Sequence, residues 1–205
     1  MIIQRTLVSG AVLCLAFAAG CATGQIEVVK DDFKNTSMVK MELEYSAKSY
    51  TSMANAVYTR EFAAGKKGPV VVHYTFTTDA EYPNLESKCI FKIGDKTFDA
   101  AFGDISGEIH TEISQQKTTT YQANDEGFVD FTKGNTAVTG ISASSDKVFR
   151  AKLELSAAAE KEILAASKIS MRIYFGTNDS TYEIDGSDLQ KIKNFILSTP
   201  EKTVR

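Results

Sequence analysis

Histidine, cysteine and clustered positive charge are all scarce in this 205-residue chain. It contains two histidines, His73 and His110, and three cysteines, Cys14, Cys21 and Cys89. Two of the cysteines fall in the N-terminal segment, so Cys89 alone is left to the body of the chain, and no intramolecular disulfide framework can be drawn there. A zinc site needs three or four ligands at a telling spacing. Two histidines and one thiol supply neither the number nor the spacing, and no metal or other cofactor is expected. HExxH, CxxC and GxSxG are absent beyond residue 20, so the sequence names no catalytic residue. With no basic tract, nucleic acid is not an expected partner, nor is electrostatic binding to anionic lipid. Nor is there an apolar run of the roughly 20 residues that a permanent membrane-spanning helix requires.

What is present begins at the N-terminus. Arg5 supplies a positive start, Thr6 to Phe17 form an apolar run with Leu7, Val8, Val12, Leu13 and Leu15, and Ala18-Ala19-Gly20 follow with small side chains. This is the three-part form of an export signal. Cys21 stands immediately after it.

Ala18, Ala19, Gly20 and Cys21 together resemble the lipobox of bacterial lipoproteins processed by signal peptidase II. The resemblance covers only the first 21 residues, and it departs from the usual pattern in having Ala18 where leucine is commonest. It implies cleavage before Cys21 and lipidation of that cysteine, with Ala18, Ala19 and Gly20 as the peptidase recognition residues. Ala16-Phe17-Ala18 also reads as an ordinary A-x-A cleavage site, a route that leaves Cys21 without a purpose. More than one buried acyl chain gives a firm membrane anchor. Ala22 follows the cysteine in place of the aspartate that in many lipoproteins marks inner-membrane retention, so the resemblance implies the outer membrane, on its periplasmic or its surface face. The tether from Ala22 to Gln25 reaches at most ~14 Å. The expected organisation is a signal over 1–20, a lipidated cysteine and tether over 21–25, and one domain over 26–205.

Removing residues 1–20 takes away one base and no acid, leaving 185 residues with 22 bases against 26 acids, a net charge of −4. That length suits one domain and buries about 70% of its unfolded surface without a covalent staple. Strand-like alternation dominates it. Val39, Met41, Leu43 and Tyr45 fall on one face of a run opposite Lys40, Glu42 and Glu44. Strands are also predicted over Ile26–Asp32, Ala54–Phe62 and Val70–Thr78. Gly65-Lys66-Lys67-Gly68-Pro69 reads as a hairpin turn and lacks the spacing of a phosphate loop. Cys89–Ile93 and Lys96–Ala100 flank Gly94-Asp95, a pair suited to a two-residue turn, and Cys89 alternates with Phe91 and Ile93 as a small core residue. Glu108–Ser114 places Ile109, Thr111 and Ile113 on one side. Residues 115–145 are rich in Thr, Ser, Asn and Gly, and strands are expected there without clear ends.

Val148–Leu155 points Phe149, Ala151, Leu153 and Leu155 inward. Ser156 can cap a helix over Ala157–Ser167, and Ile169–Phe175 and Thr181–Ile184 read as strands. Ser187-Asp188-Leu189-Gln190 fits a capping box for a last helix, whose stripe is Leu189, Ile192, Phe195 and Ile196. The fold class is therefore mainly β or α+β: an antiparallel β-sandwich-like domain with one connecting helix and a C-terminal helix.

For chemistry the candidates are few. His73 and His110 sit on the outer faces of their strands. Asn178-Asp179 and Asp185-Gly186-Ser187-Asp188 form an acidic neighbourhood without the EF-hand pattern, already explained as a turn and a helix start. If Val148–Leu155 and Ile169–Phe175 are sheet neighbours, Arg150, Lys152, Arg172 and Tyr174 line one outward stripe that could hold a carboxylate, phosphate or sugar acid. Beyond the anchor, the expected function is a non-enzymatic binding domain at the cell envelope, its partner an envelope protein or a small ligand. The alternatives are a periplasmic accessory or structural subunit of an envelope complex, which an exposed apolar patch would favour, and a hydrolase with an unrecognised site.

Overall fold

The computed structural model describes residues 23–48, 52–123 and 129–202. Ten strands and two helices follow in order. The strands are β1 (Glu27–Asp31), β2 (Thr36–Ser46), β3 (Ser52–Ala63), β4 (Lys66–Asp79), β5 (Leu85–Ile93), β6 (Lys96–Ala101), β7 (Gly103–Ala123) and β8 (Val129–Leu155). After these come helix α1 (Ala157–Ala165), strands β9 (Lys168–Phe175) and β10 (Asn178–Asp185), and helix α2 (Gly186–Leu197). The described residues are mainly β with two helices, as the alternation predicts.

The strands form two antiparallel sheets. The first has six strands in the order β1-β2-β3-β4-β8-β7, and the second has four in the order β10-β9-β5-β6. Alternation decides which face of each strand is buried. Met41 and Leu43 on β2, Val72 and Phe76 on β4, and Phe149 and Leu153 on β8 turn inward from the first sheet. Cys89 and Phe91 on β5, Met171 and Ile173 on β9, and Tyr182 and Ile184 on β10 turn inward from the second. The two buried faces belong to one core. They meet through Phe149 and Phe175, with ring centroids 5.5 Å apart, and through Phe76 and Tyr182 at 6.0 Å. Ser52 on β3 hydrogen-bonds Ser180 at 2.9 Å and the Tyr182 hydroxyl at 2.7 Å on β10, satisfying polar atoms that would otherwise destabilise this interior.

Turn chemistry sets the hairpins. Ala64 and Gly65 both have positive φ, 48° and 74°, the geometry that lets a two-residue loop follow strand twist. The β3–β4 turn is therefore Ala64-Gly65, and the predicted turn residues Lys66 to Pro69 belong to β4. Pro69 fits in that strand because the β3–β4 register shifts between Arg60 and Phe62, leaving Gly68 and Pro69 out of the ladder. A side chain at Gly68 would meet the Glu61 carbonyl at 3.0 Å.

The helices also follow local rules, with one correction. Ser156 caps α1, its hydroxyl accepting from the Ala159 amide at 3.1 Å. The last helix does not open on Ser187. It starts at Gly186 with Asp185 at the N-cap and no side-chain cap hydrogen bond, because β10 runs straight into it. Its predicted stripe is buried: Leu189, Ile192, Phe195 and Ile196 all face the core, and Phe195 packs on Tyr58 of β3 at 5.8 Å.

The least readable part of the sequence becomes the largest single feature. Strand β8 pairs with β4 only from Val70↔Leu155 to Asp79↔Asp146. Past Asp146 it pairs with β7 alone, from Thr111↔Ser145 to Ala123↔Val129. Thirteen residues of β7, from Thr111 to Ala123, therefore run in a two-stranded arm that projects roughly 45 Å beyond the other strands.

Candidate functional site

The predicted cationic stripe does not exist as one surface. Its premise was that Val148–Leu155 and Ile169–Phe175 are neighbours, but β8 lies in the six-stranded sheet and β9 in the four-stranded one. Helix α1 carries the chain from one sheet to the other. Since Phe149 and Phe175 face each other across the core, the outward residues Arg150 and Lys152 lie on the opposite side of the molecule from Arg172 and Tyr174.

On the six-stranded side, Arg150 is committed to Glu108 at 2.5 Å, and Glu108 also meets His110 Nε2 at 3.0 Å. The His110 contact, then Arg150, holds the Glu108 carboxyl below the usual carboxylate range. Lys152 pairs across the ladder with His73, which is exposed. On the four-stranded side, Arg172 reaches Asp179 at 3.5 Å and the Thr181 hydroxyl at 3.2 Å. Tyr174 lies under Lys88, whose ammonium is 5.6 Å from the ring centroid. A shallow depression of about 390 Å³ on this side is bordered by Lys48, Lys92, Arg172 and Glu183. Glu183 already accepts Lys48 at 2.7 Å and Lys168 at 2.9 Å. Those two lysines hold its carboxyl low. Arg150, Arg172, Lys48 and Lys168 are thus each paired with a carboxylate of the chain itself.

Cys89 is fully buried on β5, and burial pushes its thiol up to about 12; it is a core residue, as its alternation predicts. Among the described residues no group of three or more His, Cys, Asp or Glu is placed to hold a metal. Cys21, Ala18, Ala19 and Gly20 lie outside the described residues.

One charged group that the sequence reading passed over is buried. Arg60 is 2% exposed. It shares the inward phase of Ala54, Ala56 and Tyr58 on β3, the signal by which it could have been found. Its guanidinium pairs with Glu160 of α1 and donates through Nη1 to the Ile196 carbonyl of α2 at 2.9 Å. A cation at the C-terminal turn of a helix meets carbonyls that have no partner in the helix. Lys67 donates to the same carbonyl at 3.1 Å, and its ammonium is held below its ordinary range by burial and then by Arg60. This cluster pins both helices to β3 and β4.

The arm is the surface with unmet requirements. In an antiparallel pair, directly opposed residues share a face. One face carries Ile109, Thr111, Ile113, Gln115 and Lys117 on β7 against Lys147, Ser145, Ala143, Ile141 and Val138 on β8. A bulge at Thr139 keeps Val138 on this face, since Gln116 pairs with Gly140 and Lys117 with Val138. The other face carries His110, Glu112, Ser114 and Gln116 against Asp146, Ser144, Ser142 and Gly140. One side is thus studded with branched aliphatics and the other is polar. Ile113 and Ile141 are each 69% exposed, Ile109 62% and Val138 50%.

By register, the aliphatic side continues the core face of the six-stranded sheet, since Ile141, Ala143, Phe149 and Ala151 share a phase on β8. The second sheet stops short and leaves it uncovered. Hydroxyl pairs hold the two strands together: Thr111–Ser145 at 3.0 Å, Ser114–Ser142 at 2.7 Å, Thr118–Thr139 at 3.0 Å and Thr119–Thr136 at 2.9 Å. Where the arm leaves the body, Leu85, Ile105, Ile109 and Phe149 line a notch of about 530 Å³.

No protein-family model matches this chain, and no curated protein matches it.

Proposed function

We propose that this chain is a bacterial lipoprotein of the outer membrane, anchored through lipid on Cys21, that works by non-enzymatic binding as a subunit of an envelope assembly. The observation that carries the binding reading is the arm. Ile109, Ile113, Val138 and Ile141 share one uncovered face, and contiguous exposed apolar surface of this kind marks interaction sites. A lone two-stranded ribbon is marginal in water, so an arm of this length is a surface built to be covered. The same feature favours a structural subunit over a domain that captures small ligands, because a ligand site concentrates its polar groups in a concave pocket. In the depression on the four-stranded side, Lys48, Arg172 and Glu183 are already in ion pairs.

The anchor reading is supported by Ala18, Ala19, Gly20 and Cys21 in the sequence. No helix among the described residues is long and apolar enough to cross a membrane.

Mild-detergent extraction tests the binding reading. The wild-type protein is expected to migrate as a complex well above the mature monomer, which is itself lighter than the 22.4 kDa of the uncleaved chain. The variant Ile113→Asn with Ile141→Asn is expected to migrate as the monomer with an unchanged melting temperature. A wild-type protein that is monomeric when extracted from its own membrane, or a complex untouched by both substitutions, would refute it.

A further inference from the structure

The partner that the arm's geometry specifies is a second copy of this chain. The two sheets have four edge strands among the described residues: β1, β7, β10 and β6. Three are short, with 5, 8 and 6 residues for β1, β10 and β6. Strand β7 has 21. An edge strand offers a row of unpaired N–H and C=O groups, and natural sheets blunt such edges by shortness, by lysine, by proline or by bulges. Between Ser106 and Gln116 the β7 register against β8 runs without a shift, and the segment holds no lysine and no proline. It is a straight edge whose charged or titratable side chains are Glu108, His110 and Glu112 alone.

We propose that β7 pairs antiparallel with β7 of a second copy, with Thr111 on the two-fold axis, joining the two six-stranded sheets into one. A two-fold perpendicular to the sheet keeps each face on its own side, so residues of equal parity oppose each other. Centred on Thr111, Ile109 stands opposite Ile113 of the other copy on the aliphatic face. His110 stands opposite Glu112 on the polar face. Among the described residues Glu112 has no ion-pair or hydrogen-bond partner within its own copy, whereas His110 already meets Glu108 through Nε2 and keeps a second ring nitrogen to offer. Moving the centre by one residue to His110 opposes Glu108 to Glu112 and His110 to itself, and a centre at Glu112 opposes that carboxylate to itself. Like charges directly opposite are destabilising. A centre at Ile109 matches Ile105 with Ile113, but it spends Glu108, which is bound to Arg150, and leaves Glu112 alone.

The area defines the strength of the contact. Eleven residues, Ser106 to Gln116, extend ~37 Å. At a sheet thickness of ~10 Å, each copy covers on the order of 400 Å², about half of what a stable interface buries per partner. The pairing is therefore weak between freely diffusing copies. Confinement to one membrane raises the effective concentration, so this inference rests on the proposed anchor.

The test uses the full-length protein in its own membranes, with Thr111→Cys as the probe. Opposed residues in such a pair lie within disulfide reach. Cys89 is buried and a lipidated Cys21 has no free thiol, so the parent protein is the control. Mild oxidation is expected to convert at least half of Thr111→Cys to a reductant-sensitive species of twice the mass. Ile109→Cys and Ile113→Cys are expected to cross-link poorly alone and well when co-expressed, and adding Glu112→Lys to Thr111→Cys should lower the yield several-fold. No cross-linking at Thr111 with the protein still membrane-bound and acyl-labelled would overturn the pairing while leaving the anchor intact. So would a cross-link at Ile109→Cys that exceeds the one at Thr111→Cys. A polarity-sensitive dye on Thr111→Cys that is buried by lipid vesicles, without any cross-link, would make the partner lipid and also overturn it. Cross-linking of the parent protein itself would expose a free Cys21 thiol and refute the anchor instead.

Discussion

Replacing Arg60 with methionine tests the physical account of the core most sharply. The substitution Arg60→Met keeps an unbranched apolar stem in the site and deletes only the charge. Arg60 is 2% exposed, while the Glu160 side chain that it pairs with is 15% exposed. Breaking a buried pair by removing one partner costs about 3–5 kcal/mol, because the remaining charge stays desolvated. Two features place this site near the lower end. Lys67 still donates to the Ile196 carbonyl at 3.1 Å, and the Val70 amide still reaches Glu160 at 3.4 Å. The expected loss is about 3 kcal/mol, which in a domain of this size lowers the melting temperature by roughly 6–12 °C. Urea unfolding followed by far-ultraviolet circular dichroism measures it directly. The double variant Arg60→Met with Glu160→Gln removes the stranded charge and should recover part of the loss. A cycle of the two substitutions then gives a coupling energy above about 1 kcal/mol. An Arg60→Met protein within about 1 kcal/mol of the parent, or a coupling energy near zero, would show that the cluster does not pin the helices.

Three further outcomes follow from the same structure. The Cys89 thiol, raised to about 12 by burial, should resist a thiol reagent at pH 8 in the folded protein and react at once in urea; fast reaction without denaturant would contradict its burial. Tyr58 and Tyr182 are raised to about 12 by burial, against an ordinary value of 10.0. The folded state therefore holds their protons more tightly than the unfolded state does, and this stability is complete below pH 10 and lost as pH rises through about 12. Absorbance at 295 nm should show these phenols ionising only as circular dichroism is lost; separate ionisation before unfolding would count against the burial of both side chains. Cys21→Ala should abolish incorporation of labelled fatty acid and release the protein from membranes, and a variant that stays bound and labelled would remove the anchor.

The parts of the fold that could be read from the sequence are those with one wet face and one dry face. On β2, β4 and β9 the core positions alternate with polar ones, and the period-two signal gives each strand and its inward side. The arm had no such contrast, since both of its faces meet water and its Thr, Ser and Gln sit among a few aliphatics. Ile109, Thr111 and Ile113 could be placed on one side, but not the continuation through Ile141 and Val138, which depends on a bulge at Thr139.

The partition into two sheets was equally hidden. Val148–Leu155 and Ile169–Phe175 are separated only by α1, and nothing local tells whether a helix returns the chain to the same sheet or carries it to the other. The cationic stripe failed for that reason. Arg60 was legible in phase with Ala54, Ala56 and Tyr58, but nothing local shows the Glu160 carboxylate and Ile196 carbonyl that let a charge be buried there.

The claim that the arm is the working surface is tested most directly in living cells that carry a photo-activatable residue at single positions of the full-length protein. Positions Ile113 and Ile141, on the aliphatic face of the arm, are predicted to give discrete cross-linked species on illumination. Thr97 and Ser170, on the outer face of the four-stranded sheet, are predicted to give none. Cross-links at Thr97 and Ser170 with none at Ile113 and Ile141 would place the working surface on the opposite sheet and contradict the account.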